Sequence, residues 1–132
     1  MEAYYRPAEI DLAIPRGVDW DIRLEWTTED VPGEAGTPVD LTGHSALMQV
    51  RTSADSETVL LELSSADDGG LVLGDTDGSI TISVPRSVSQ PLIWNSGEYD
   101  LIVYGPESTD PSIVLARGSF SLYNTITQLP AP

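Results

Sequence analysis

The sequence contains no cysteine. Disulfide staples and thiolate metal sites are therefore excluded, and an apolar core with backbone pairing must hold the fold. A reducing compartment is permitted by this, not required. Lysine is also missing, and His44 is the only histidine. Six basic residues, all arginine, stand against 21 carboxylates, for a formal net charge of -15. Such a chain repels phosphate backbones, because nucleic-acid binding relies on clustered Lys and Arg that displace counterions. The same sign argues against anionic membrane surfaces. Neither nucleic acid nor membrane is expected as a partner. No apolar run approaches the roughly 18 residues that span a bilayer. The N-terminal MEAYYRPAEI lacks the basic-then-apolar layout of a secretory signal, so none is expected. Neither GxxxxGK nor GxGxxG supplies a phosphate cradle, and no GxSxG elbow occurs. No cofactor is expected. The carboxylates are dispersed and form no acidic block, which suits a solvated surface.

What is present is alternation. In VDWDIRLEW, Val18, Trp20, Ile22, Leu24 and Trp26 alternate with Asp19, Asp21, Arg23 and Glu25. Strand side chains point to opposite faces with period two, so this is a strand with one apolar and one charged face. Ile10, Leu12 and Ile14 alternate likewise until Pro15-Arg16-Gly17, which is expected to end the run. TTEDVPGEAGTP reads as an exposed loop. Ala46, Met48 and Val50 are expected inward, with Leu47, Gln49 and Arg51 outward. Val59, Leu61 and Leu63 share a face, LVLG makes a short strand, and Ile80, Ile82 and Val84 point inward. RSVSQPLIWNSG has room for a short helical turn before Pro91. Tyr99, Leu101 and Val103 form an inward row, and so do Val114, Ala116, Phe120 and Leu122. Gly118 on that last row suggests a bulge or a close backbone approach. About seven to eight strands with turn signals between them predict an all-β fold. The expectation is a single immunoglobulin-like antiparallel β-sandwich over 1–132, with an N-terminal arm over about 1–9 and a C-terminal tail over about 124–132. A small closed barrel is the alternative.

Candidate chemistry is thin. His44 and Ser45 are adjacent on an extended segment, so their side chains diverge and cannot make a Ser-His pair. GDTDGS opens like a calcium loop, with Asp75 and Asp77 as candidate ligands and Asp67 and Asp68 within reach of a neighbouring turn. The later glutamate of such a loop is missing, and Asp-Gly also makes hairpin turns. Asp19, Asp21 and Glu25 share a strand face, which is more simply a solvated face than a carboxylate pair for acid/base work. No enzyme is expected. Three features point instead to contacts between proteins. These are Tyr4, Tyr5 and Arg6 in the arm, Ile102 and Tyr104 at outward positions, and Ile126 and Leu129 in the tail.

The succession GVDWDIRLEW, GTPVDLTGHSALMQVR, VLLELSS, GGLVLGDTDGSITISVP, LIWNSGEYDLIVYGPE, IVLARGSFSLY resembles a group of small tailed-bacteriophage virion proteins encoded among tail and baseplate genes. It is also similar to the N-terminal attachment domain of phage baseplate upper proteins. The resemblance spans Ile10 to Tyr123 and is carried most specifically by DLTG, G-x-Ile-x-Ile and SGEYDL. None of these is a catalytic motif. The baseplate proteins continue into a helical stalk with a receptor-binding module, whereas this chain stops at Pro132, so the attachment domain alone is expected. The resemblance implies a virion location after synthesis in the host cytoplasm. It also implies other tail, baseplate or capsid proteins as partners, and a symmetric homo-oligomer or many copies on an assembly. Capsid decoration is an alternative within that class. A nucleic-acid-mimicking inhibitor and a carbohydrate-binding module are alternatives outside it. The module would need Trp20, Trp26 or Trp94 exposed, and Trp20 and Trp26 are expected in the core.

Overall fold

The computed structural model describes residues 8–28, 37–110 and 112–130. Its strands are β1 (Ala8–Glu9), β2 (Leu12–Arg16), β3 (Trp20–Glu25), β4 (Thr27–Thr28), β5 (Thr37–Pro38), β6 (Ser45–Arg51), β7 (Leu61–Ser64), β8 (Leu71–Leu73), β9 (Ser79–Val84), β10 (Ser96–Tyr104) and β11 (Ser112–Asn124). One helical turn, α1 (Arg86–Ser89), lies between β9 and β10, where Pro85 precedes the helix and Pro91 follows it. Eight of the strands have three residues or more, in line with the alternation.

The larger sheet runs β1-β11-β10-β6-β7, with β2 also on β11, and the smaller runs β3-β9-β8. A two-stranded ribbon, β4-β5, lies apart. This is the order of an immunoglobulin-like sandwich, with β11, β10, β6 and β7 as the G-F-C-C′ sheet and β3, β9 and β8 as B-E-D. Two features depart from the expected antiparallel pattern. β1 and β2 both pair parallel with β11, Ala8 opposite Ala116 and Leu12 opposite Phe120. The first strand thus lies beside the last, and the outer edge of β3 has no strand beside it among the described residues.

The core is the set of inward rows: Leu12, Ile14, Met48, Val50, Ile80, Ile82, Val84, Leu101, Val103, Phe120 and their neighbours. Antibody domains place a tryptophan on the C strand and a cysteine two residues after the F-strand tyrosine. Buried Met48 lies on the corresponding C strand here, and Leu101 follows Tyr99 at that spacing, so hydrophobic packing replaces the staple. Phe120 meets Trp94 and Tyr99 with ring centroids 5.8 and 6.3 Å apart, distances at which tilted and edge-on rings attract.

Several expectations need correction. Pro15 does not end the strand; it is buried within β2 on the sheet edge, where a missing N–H costs no ladder bond. In β11, Ala116, Phe120 and Leu122 are buried as expected, but pairing slips between Leu101 and Ile102 and leaves Leu115 as an extra, buried residue ahead of them. Val114 therefore turns outward opposite Ile102. Val59 precedes β7 and is exposed. Trp20, on the outermost strand of its sheet, and Trp26, just after that strand, pack against the core but are only half-buried.

Candidate functional site

The loop before β6 is built by hydrogen bonds that its sequence supplies. Asp40 Oδ1 accepts the Thr42 N–H at 2.9 Å, and the His44 N–H donates to the Leu41 carbonyl at 2.9 Å. Gly43 takes φ +79°, a left-handed conformation open to glycine. Those bonds to Thr42, more than the charge of His44, hold the Asp40 carboxyl below its ordinary range. The His44 Nδ1–H donates to the Thr42 carbonyl at 3.2 Å, which occupies that nitrogen in the turn. His44 lines a cleft of about 520 Å³ together with Asp67, Asp68 and Asp75. Among the described residues, no group of three or more His, Asp or Glu side chains is placed to hold a metal ion.

The calcium alternative at Asp75 and Asp77 meets a turn whose Asp77 side chain and Asp75 carbonyl are already engaged. Asp77 Oδ1 accepts the Ser79 N–H at 3.0 Å, and Oδ2 faces Arg23 at 3.3 Å. The Ser79 bonds, with Arg23 contributing less, lower the Asp77 carboxyl. Asp75 uses its backbone, accepting the Leu41 N–H at 2.7 Å, and its side chain is exposed. The stretch is a hairpin turn between β8 and β9.

Of the candidate contact residues, Tyr4, Tyr5 and Arg6 lie outside the described residues. The end of the expected arm does not hang free: Ala8 and Glu9 form β1. Ile102 lies on the outer face of the larger sheet, opposite Leu47 on β6 and Val114 on β11. The three half-buried side chains make an apolar row straight across the sheet. Tyr104 extends it two residues further along β10 and is 41% exposed. Beyond the row the same face turns polar, with Gln49, Arg51, Glu98, Asp100 and Arg117 around a depression of about 430 Å³.

The expected tail also needs correction. Its first residue, Asn124, ends β11, and its described remainder runs to Pro130, which is bonded to Arg86 of α1. Arg16 is the tie: it donates to the Asn124 side chain, the Trp94 carbonyl (2.6 Å) and the Asn95 side chain (2.9 Å). Arg86 donates to the Pro130 carbonyl. Guanidinium groups suit this strut role because their donors are rigid and permanently charged. Ile126 is wholly exposed, and Leu129 is 44% exposed beside a cleft of about 190 Å³. Ile93, 94% exposed in the loop that Arg16 grips, had no periodic signal to mark it.

The chain matches no family model and no curated relative. Among solved structures it is similar to one from a photo-crosslinking study of multimeric cell-adhesive interactions of VGSC beta subunits. The two share 16% identity with a TM-score of 0.36, covering 96% of this chain and 100% of that one. At that score the likeness adds nothing to the fold derived above from strand order.

Proposed function

We propose that this chain is a non-enzymatic docking module of a bacteriophage virion, an adaptor or accessory on the tail or baseplate. The observation that carries the docking role is the apolar row Leu47, Ile102, Val114 with Tyr104, on an outer sheet face that a lone sandwich would keep polar. The polar residues beyond it on the same face, with Arg51 and Arg117, would supply one flank of an interface's polar rim. The virion setting rests on the resemblance in DLTG, G-x-Ile-x-Ile and SGEYDL. Bonds within the turns at His44 and Asp77 account for both groups structurally.

Quantitative mass spectrometry of purified particles tests the setting. Roughly three to a dozen copies per particle are expected, as ring symmetry at a tail tip, baseplate or neck requires. Hundreds of copies would make the chain a tail-tube or capsid-decorating protein. Complete absence from particles would overturn the virion reading and favour an intracellular inhibitor.

A further inference from the structure

The smaller sheet presents an outer edge of a different kind. Residues 79 and 83 of β9 bond to Gly74 and Gly70 on the β8 side, so Ile80, Ile82 and Val84 direct their backbone groups at β3. Their partners are Leu24, Ile22 and Trp20. Antiparallel ladders alternate, so the N–H and C=O groups of Asp21, Arg23 and Glu25 face the open edge. Among the described residues, six residues of regular strand leave about 20 Å of edge with no strand paired to it.

The other outer strands of the sandwich are guarded. β2 carries Pro15, β7 has four residues, and β8 has three, with Leu71 buried. Proline and shortness are both means by which proteins blunt an edge. β3 has neither proline nor bulge. Its inward row is also incompletely covered: Trp20, Ile22 and Leu24 are half-buried, while Ile80, Ile82 and Val84 on the central strand are 0%, 1% and 0% exposed. One more strand would supply the missing cover.

The charge on this edge selects the occupant. Asp19, Asp21, Glu25 and the adjoining Asp77 set four carboxylates along this strand against one guanidinium on it, Arg23, which already pairs with Glu25 and Asp77, while Asp19 accepts the Arg86 N–H at 2.7 Å. A second copy brings the same carboxylates and a net charge of -15. Its two nearest basic residues, Arg16 and Arg23, are seven positions apart, so none of its strands offers alternating cations. We infer that the free edge of β3 accepts an extended segment of another protein in which apolar residues alternate with Lys or Arg. Backbone bonds to Asp21, Arg23 and Glu25 would hold it, its apolar side chains would cover Trp20, Ile22 and Leu24, and its cations would meet the carboxylates. The carboxylates that keep two copies apart are then the feature that admits the partner.

The test uses the full chain and an end-capped peptide of alternating valine and arginine, as long as β3. Two controls match it: valine with glutamate, and valine with arginine carrying N-methylated backbone amides. At saturating cationic peptide, exchange of the Asp21, Arg23 and Glu25 amides is expected to slow by roughly tenfold or more. Neither control should protect them. Arg23→Pro removes a donor at the edge and is expected to abolish protection while the core spectrum persists. Should that variant not fold, D21K/E25K is expected to reverse the preference toward the glutamate peptide. Unchanged exchange, or equal protection by the N-methylated peptide, would overturn the inference. This result is independent of particle mass spectrometry: a chain found in virions that ignores the peptide loses only the β3 site, and one absent from virions that binds it loses only the virion setting.

Discussion

Tyr99 shows at the scale of one residue how the sandwich closes without a disulfide. Its ring packs beside Phe120, and its hydroxyl donates to the Ile10 carbonyl at 2.6 Å, linking β10 to the junction of β1 and β2 across β11. Burial, and secondarily the nearby Asp11 charge, push the Tyr99 hydroxyl up to about 12 from an ordinary 10.0. The folded state thus favours the neutral phenol. That contribution is complete below the ordinary value and is lost as pH rises through the folded one. Tyr99→Phe is expected to cost about 1–3 kcal/mol by stranding the Ile10 carbonyl, read from a urea unfolding midpoint. Phenolate absorbance in the native protein should show one tyrosine titrating late, and Tyr99→Phe should remove that late component. Asp11 acts beside it: the Ser119 N–H bonds its Oδ1 at 3.0 Å and holds the carboxyl below its ordinary range.

At the scale of the element, β11 organises the larger sheet, pairing with β1, β2 and β10 at once. Ile10 faces Gly118 between the two parallel segments, and its N–H donates to the Arg117 carbonyl at 2.9 Å. A Cβ built at Gly118 would stand inside contact distance of the Ile10 carbonyl oxygen, so this glycine is a close backbone approach. Gly118→Ala is expected to destabilise by about 1–3 kcal/mol. Amide exchange should rise across Ala8–Arg16 and stay unchanged in β3, β8 and β9. The special backbone at Gly118, a bulge or a close approach, was legible in the sequence, and so were the alternating rows of β3, β6, β9 and β10. The bulge at Leu115 was not, because a bulge is set by the partner strand and strict alternation carries no trace of it. The parallel placement of β1 and β2 was equally hidden, since Ile10, Leu12 and Ile14 alternate the same way beside any neighbour. Ile102, Tyr104 and Leu47 were readable as outward apolar residues. Val114 was lost to the bulge, and Trp20 was placed too deep because an open edge is a property of the sheet.

At the scale of the whole molecule, a net charge of -15 repels itself across a small body. Raising salt at neutral pH is therefore expected to increase the thermal midpoint, read by circular dichroism, because screening relieves the repulsion. Mild acidification should stabilise for the same reason until the lowered carboxyls of Asp11, Asp40 and Asp77 titrate. Their contribution is present above the ordinary 3.8 and is lost as pH falls through their lower folded values. The parallel pairing of β2 with β11 carries a mechanical consequence. Ala8 lies beside Ala116 and Arg16 beside Asn124, so the described residues begin toward one pole and end at the other. Tension applied between those poles is expected to pull Pro130 from Arg86 and then to drive β2 and β11 lengthwise past each other. In that geometry the rungs of the ladder resist together instead of parting one by one, and the sandwich bears load along its long axis.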